Sequence, residues 1–134
     1  MITRVYAFGR DKYWLDAINN VKLDNVILET VHCSECLSDC LDDLPNPDPD
    51  ALVLIDIFSP RETIDNVLRN LRNRGWRNIV VIAADPSVKE SRDVFLERQG
   101  SDYRDYRNKT YDVSMIKSMI EKSLRDLRKV KSSY

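Results

Sequence analysis

Glycine is scarce in this sequence, and its scarcity argues against one class of binding site. The chain of 134 residues has only three glycines, and the first of them, Gly9, stands alone after the first apolar segment. A loop that cradles the phosphates of a nucleotide or a flavin needs closely spaced glycines, because its backbone must come close to the phosphate. A small enzyme that binds a nucleotide or a flavin is therefore a remote alternative.

Long apolar runs and an excess of one charge are also missing. No run approaches the ~20 apolar residues that cross a bilayer, and residues 1–5 lack the basic region that opens a signal peptide. The 21 basic and 22 acidic residues give a formal net charge of -1, so no overall charge attracts nucleic acid or an anionic membrane. From these features we expect a cytoplasmic protein that binds neither nucleic acid nor a membrane.

Cysteine is limited to three closely spaced residues, Cys33, Cys36 and Cys40. An odd number of neighbouring cysteines does not fit a secreted disulfide framework. Because His32 precedes them, a metal cluster is one interpretation, but no second cysteine pair completes such a site. The cysteines repeat with leucines at the spacing of one helix face, so we favour core packing in a helix over residues 34–44.

The most apolar stretch of the chain ends in a single carboxylate. Residues 51–55 are an unbroken apolar run, which is typical of a strand buried on both faces, and Asp56 follows directly. In an open parallel sheet the carboxyl ends of the strands face the crevice where ligands bind, so a carboxylate there is placed for chemistry. The alternative for Asp56 is a solvated strand end or a helix-capping acid.

The remaining apolar segments alternate between the spacing of strands and the spacing of helices. Further strands are predicted over residues 2–8, 25–31, 78–83 and 102–108, the last rich in charged residues. Helices are predicted to start near Asp11, Ser34, Ser59, Ser87 and Asp112. This alternation implies one α/β domain with a doubly wound, five-stranded parallel sheet and helices on both faces. We place the domain over residues 1–127, followed by a basic tail at residues 128–134.

Over residues 2–127 the chain resembles the CheY-like receiver domain of two-component response regulators. The most specific part is residues 52–60, which are similar to the family's third strand, where a phosphoacceptor aspartate precedes a proline by four residues. Asp56 and Pro60 fit these two positions. The resemblance implies that Asp56 is the phosphoacceptor. It also implies the sheet order 2-1-3-4-5, which the apolar pattern alone does not define.

The end of the chain carries a second part of the resemblance. The family places an aromatic switch residue three positions before a lysine that pairs with the phosphate, and Tyr106 and Lys109 have this spacing. The segment is slightly longer than the family's pattern, and an alignment without a gap would put Arg107 in the lysine position. We prefer Lys109 and keep Arg107 as the alternative.

Several positions depart from the family's pattern. Where receivers carry adjacent acids that hold a divalent cation, this chain has Gly9 and Arg10, and Asp11 keeps the nearest carboxylate. The resemblance leaves Asp56 and Asp11 as metal ligands, and we expect weakened Mg²⁺ binding, because Mg²⁺ sites are commonly built from carboxylates and phosphate oxygens. Ala83 replaces the Ser or Thr switch residue whose hydroxyl bonds the phosphoryl group in the family.

Arg10 suggests a replacement for the missing metal. A guanidinium beside Asp56 would pair with the free carboxylate and take the place of the divalent cation. Our hypothesis from the sequence is therefore that Arg10 supplies the positive charge at Asp56.

The resemblance implies a function in signalling and leaves two forms of it open. In the conventional form, Asp56 accepts a phosphoryl group from a histidine kinase or phosphotransfer protein with the help of Mg²⁺, and this self-catalysed step is the chain's only chemistry. In the atypical, pseudo-receiver form, a degenerate site leaves an adaptor that binds a downstream protein. We favour the atypical form and keep a flavodoxin-like enzyme as the remote alternative. No DNA-binding or catalytic domain follows Leu127, so we expect a stand-alone receiver or one whose output is a protein contact.

Overall fold

The computed structural model describes residues 2–33, 43–56, 63–83 and 104–132. Within these residues the chain forms five strands, β1 to β5, and three helices, α1 to α3. The strands are Thr3–Gly9, Val26–His32, Leu52–Asp56, Asn78–Ala83 and Arg104–Asn108. The helices are Lys12–Asn19, Ile64–Arg74 and Val113–Ser132. The helices predicted to start at Ser34 and Ser87 lie outside the described residues, as do Cys36, Cys40 and Pro60.

The five strands form one parallel sheet in the order β2-β1-β3-β4-β5. This confirms the predicted α/β class and the predicted strand order. The chain passes from β1 to β2 on one side and returns to β3 on the other side of β1, so the direction of winding changes between β1 and β3. In open parallel sheets, ligands bind at the carboxyl ends of the strands that flank such a point. The fold therefore predicts a ligand-binding site at the carboxyl ends of β1 and β3.

Two hydrophobic cores lie on the two faces of the sheet. Val5 and Ala7 of β1 join the core that is formed with α1 and α3, whereas Tyr6 and Phe8 join the core that is formed with α2. Strand β3 is divided in the same way, and all of its residues are buried. Because successive side chains of a strand point to opposite faces, a strand between two cores must be apolar throughout. This requirement explains the unbroken apolar run before Asp56.

The edge strands are the less apolar ones, as their sequences predict. Residues of β2 are half-buried or exposed. In β5, Arg107 Nη2 lies 2.7 Å from Asp105 Oδ2 and 2.9 Å from Asp126 Oδ2 of α3. The charged residues that make this segment a poor central strand thus attach an edge strand to the last helix.

Side chains cap the helices that flank the site. Asp11 Oδ1 accepts hydrogen bonds from the backbone N–H groups of Tyr13 and Trp14, so it caps α1 as predicted. Asp112 Oδ1 accepts from the N–H of Met115 and caps α3. Helix α3 continues to Ser132 and so includes most of the residues that the sequence assigned to a basic tail. No helix among the described residues is both long enough and apolar enough to span a membrane.

Helix α2 begins later than its sequence predicts. Thr63 has an extended backbone, and its Oγ1 accepts a hydrogen bond of 3.2 Å from the N–H of Asn66, so the helix starts at Ile64 rather than near Ser59. A threonine at this position satisfies one of the free N–H groups of the first turn. The predicted end of α2 is confirmed, because Gly75 has a φ of 111° in the left-handed region.

Candidate functional site

Three strands bring the site residues to one edge of the sheet. Gly9 ends β1, Asp56 ends β3, and Lys109 directly follows β5. Parallel pairing of Phe8 with Ile55 places Gly9 beside Asp56. Because the carboxyl ends of parallel strands open at the same edge, residues that are far apart in sequence meet in one small site.

Lys109 forms the centre of this site. Its Nζ lies 2.9 Å from Asp56 Oδ2 and 2.9 Å from Asp11 Oδ2. The side chain of Lys109 is 4% exposed and that of Asp56 is 0% exposed. A buried charge is costly unless it is paired, so the two carboxylates and the ammonium depend on one another.

Both carboxylate oxygens of Asp11 form polar contacts. While its Oδ1 caps α1, its Oδ2 contacts Lys109 and accepts a hydrogen bond from the hydroxyl of Tyr111. The Tyr111 ring also lies beside the ammonium, with 5.4 Å between Lys109 Nζ and the ring centroid. Such a cation–π contact adds to the stabilisation of the buried charge.

Folding moves the pKa values of the two carboxylates in opposite directions. Burial raises the pKa of Asp56 from 3.8 to about 6, against the attraction of Lys109. Burial also acts on Asp11, but the hydrogen bond from Tyr111, the contact with Lys109 and the N–H of Trp14 outweigh it and lower the pKa to about 2. Asp56 therefore titrates at mildly acidic pH, near its pKa of about 6, whereas Asp11 stays charged there.

The two partners of Asp11 are shifted as well. Burial alone would lower the pKa of Lys109, but the carboxylates of Asp56 and Asp11 favour the ammonium and raise it. The pKa of Tyr111 is raised mainly because its hydroxyl donates a hydrogen bond to Asp11. At neutral pH the site thus holds a charged lysine and an un-ionised tyrosine.

Gly9 lies where a side chain would be crowded by its neighbours. A Cβ placed on Gly9 would lie 3.1 Å from Asp56 Cβ and 3.3 Å from Cζ3 of the Trp14 ring. These distances are shorter than ordinary contacts between carbon atoms, so a side chain here would require its neighbours to move. The close packing of Trp14 and Asp56 therefore favours glycine at this position.

The hypothesis for Arg10 is corrected by the structure. Arg10 is exposed, and no ion pair joins it to Asp56 in the part of the chain that the structure describes. Its carbonyl oxygen lies 3.0 Å from His32 Nε2. The ammonium of Lys109, rather than a guanidinium, supplies the positive charge beside Asp56.

Asp11 and Asp56 lie close together, as metal ligands would, but the site does not fit Mg²⁺. Mg²⁺ is usually bound through one or two carboxylates, with waters completing an octahedron, so it needs carboxylate oxygens that are not already paired. Here one oxygen of each carboxylate is already in contact with Lys109. An internal ammonium occupies the position between the two carboxylates.

The other predicted site residues lie along the last two strands. Ala83 ends β4 and is paired in register with Asn108, and Tyr106 lies within β5. Arg107, the alternative to Lys109, points to Asp105 and Asp126, so it is Lys109 that reaches Asp56. Tyr111 was not predicted from the sequence, in which its only signal is an aromatic residue two positions after the lysine.

Comparison with known proteins adds little to this geometry. No protein-family model matches the chain, and a search of curated proteins found no match. The crystal structure of a two component transcriptional regulator AraC from Clostridium phytofermentans ISDg is similar, with a TM-score of 0.49 and 14% sequence identity over 98% of this chain and 99% of that chain. The fold class follows from the sheet itself. The strand order 2-1-3-4-5 is that of the doubly wound α/β fold that flavodoxins and receiver domains share, and in this chain an aspartate ends β3 and a lysine follows β5.

Proposed function

We propose that this domain is an atypical module of two-component or phosphorelay signalling that acts through protein–protein contact, with Asp56 as its candidate phosphoacceptor. One observation carries the proposal, namely that Lys109 Nζ lies 2.9 Å from both Asp56 and Asp11 at the carboxyl edge of the sheet. The aspartate and the lysine that a phosphoacceptor site needs are together, whereas the position of a further acid is taken by Gly9. The proposal makes the chain a signalling domain and not an enzyme with turnover.

The proposed chemistry is one displacement at phosphorus. A carboxylate oxygen of Asp56 forms a bond to phosphorus while the P–N bond of a phosphohistidine, or the P–O bond of acetyl phosphate, breaks. The bonding electrons leave with the imidazole, which takes a proton from water, or with acetate, and the product is an aspartyl phosphate. Because its pKa is about 6, Asp56 is mostly ionised at pH 7 and available as a nucleophile.

The same site limits the rate of this step. A transferring phosphoryl group spreads negative charge over its oxygens, and catalysis depends on positive charge placed around them. Lys109 offers one ammonium, whose charge is shared with two carboxylates. The hydroxyl that receivers use at the end of the fourth strand is missing at Ala83. We therefore propose slow acceptance and an output that depends on contact with a protein.

The proposed partners are a histidine kinase or phosphotransfer protein, or a downstream protein. Large apolar side chains are exposed where the chain leaves the site and enters α3, with Tyr111 54%, Val113 37% and Met115 60% exposed. Exposed apolar side chains next to a site can contribute to a contact surface. This surface supports a protein partner near the site.

Intact-protein mass after incubation with acetyl phosphate tests the proposal. Wild type, Asp56→Asn and the matched control Asp16→Asn, an exposed aspartate of α1, are compared with and without Mg²⁺. We expect a small fraction of wild type and of Asp16→Asn to gain one phosphoryl group, with little effect of Mg²⁺, and Asp56→Asn to gain none.

The other outcomes separate the alternatives. Strongly Mg²⁺-dependent addition that is lost in Asp56→Asn would replace the proposal by a conventional response regulator. If no condition adds a phosphoryl group, Asp56 is not a phosphoacceptor and only a contact adaptor remains.

A further inference from the structure

Tyr111 makes two contacts with the charged site although it belongs to neither a strand nor a helix. Its hydroxyl donates to Asp11 Oδ2, and its ring lies 5.4 Å from Lys109 Nζ. The side chain is nevertheless 54% exposed, so it covers the site from the solvent side and is not part of the core. A position of this kind is suited to control access to the charges beneath it.

Both oxygens of Asp11 are occupied when Tyr111 is in place. Oδ1 accepts from the N–H groups of Tyr13 and Trp14 at 2.9 Å and 3.3 Å, and Oδ2 is shared between Lys109 and Tyr111. A cation that approaches Asp11 must therefore displace a hydrogen bond to a charged group, and such bonds are the stronger ones. The lysine itself cannot move away without leaving the Tyr111 ring.

We propose that Tyr111 is a positioning residue that holds Asp11 on Lys109 and thereby makes the site select its own ammonium over a divalent cation. The hydroxyl fixes the carboxylate, and the ring covers the ammonium. This inference goes beyond the proposed function, because it concerns the resting site and holds whether or not Asp56 accepts a phosphoryl group.

An NMR titration with Mg²⁺ alone tests the proposal. Tyr111→Phe keeps the ring and removes the hydroxyl, and we expect it to bind Mg²⁺ about tenfold more tightly than wild type, as the loss of one hydrogen bond to a charged group predicts. Tyr13→Phe is the matched control, because Tyr13 is a neighbouring tyrosine that is 81% exposed. It should bind Mg²⁺ as wild type does.

Two results would overturn the proposal. One is a Tyr111→Phe variant that binds Mg²⁺ no better than wild type, including no measurable binding at all. The other is an equal gain in Tyr13→Phe, which would mean that any tyrosine hydroxyl in this region has the same effect.

A second measurement distinguishes positioning from simple structural support. In Tyr111→Phe the pKa of Asp11, followed by carboxyl ¹³C NMR, should rise from its wild-type value of about 2, because a donor to the charged form is lost. In an Asp11→Asn background, Tyr111→Phe should leave Mg²⁺ affinity unchanged, since the hydroxyl acts through that carboxylate. An unchanged Asp11 pKa, or an undiminished effect without Asp11, contradicts the role. None of these measurements involves phosphoryl transfer, so their failure and that of the proposed function are distinguishable.

Discussion

Asp56 and Asp11 touch the same ammonium, yet their surroundings give them different properties. The side chain of Asp56 is 0% exposed, and its Oδ1 has no hydrogen-bond donor among the described residues, so burial dominates. Asp11 lies at the N-terminus of α1, where backbone N–H groups stabilise a carboxylate. Hydrogen-bond donors thus keep Asp11 charged, whereas burial disfavours the charged form of Asp56.

The disfavoured charge of Asp56 predicts a pH dependence of stability. Because folding raises its pKa from 3.8 to about 6, the folded protein keeps a proton that the unfolded chain releases in this range. The free energy of unfolding should therefore fall as the pH rises from about 4 to about 6, by up to about 3 kcal/mol, and level off above. Urea unfolding of wild type at several pH values measures it.

Asp56→Asn is the control for this pH dependence. The variant has no proton to lose at this position, so the fall between pH 4 and pH 6 should disappear from its curve. Since all other acids are shared, the difference between the two curves reports Asp56 together with its coupling to Asp11 and Lys109. A difference that is constant over this range, or that changes in the opposite direction, contradicts the raised pKa.

The sequence predicted part of this residue-scale picture. Asp56 could be placed because it ends an apolar strand whose carboxyl end faces the crevice of a parallel sheet. Lys109 could be placed because its spacing from Tyr106 resembles the receiver pattern. The charge beside Asp56 was assigned to Arg10, since the direction of a side chain in a turn depends on backbone angles that residue types do not specify. Tyr111 was missed for the same reason, because its role depends on how the turn after β5 folds.

At the scale of elements, the strands, the starts of α1 and α3 and the end of α2 were predicted, whereas the start of α2 was not. The bounds of β4 were predicted in full, because turn residues flank an apolar run. The start of α2 was predicted at a sequence with a proline and a capping box, but Thr63 caps the helix instead. Capping residues occur in both segments of the sequence, so residue types alone could not decide where the helix starts.

The end of α2 allows a test of one element. Gly75 has a φ of 111°, and a Cβ there would lie 3.2 Å from Pro47 Cβ and Cγ. Gly75→Ala should lower the free energy of unfolding by about 1 to 2 kcal/mol, because a side chain is strained in the left-handed region. Urea unfolding measures the change. Asn73→Ala, at an exposed position of the same helix, is the matched control and should be nearly neutral. Equal effects of both variants would mean that backbone conformation is not the cause.

At the scale of the whole molecule, the central strands of the sheet are held by apolar packing, whereas ion pairs attach the edge strand β5 to α3. Arg107 lies between Asp105 of β5 and Asp126 of α3, and its side chain is 14% exposed. The sequence predicted that this strand is not central, because its charged residues cannot face a core on both sides. It could not predict the partners, which are brought together only by the crossover from β5 to α3.

Replacing Arg107 should therefore lower the free energy of unfolding, because the attachment of β5 to α3 is weakened. Arg107→Met should cost about 2 kcal/mol of unfolding free energy, because it leaves the Asp105 side chain, 9% exposed, without this partner. Asp126→Asn should cost less than about 1 kcal/mol, since Asp126 is 33% exposed. Urea unfolding compares the two variants. Restoration of stability by adding Asp105→Asn to Arg107→Met supports this cause, and no restoration would exclude it.

The division of the core into two faces has an optical consequence. The chain has two tryptophans, and each face of the sheet contains one of them. Trp14 packs against Gly9 and beside Asp56, whereas Trp76 packs on the other face with ring centroids 5.1 Å from Tyr6 and 5.5 Å from Phe8. Fluorescence of a Trp76→Phe variant would come from the indole beside the phosphoacceptor candidate, and that of Trp14→Phe from the opposite face. Trp14 fluorescence can therefore report changes at the site, and Trp76 fluorescence can report changes in the packing of the opposite core.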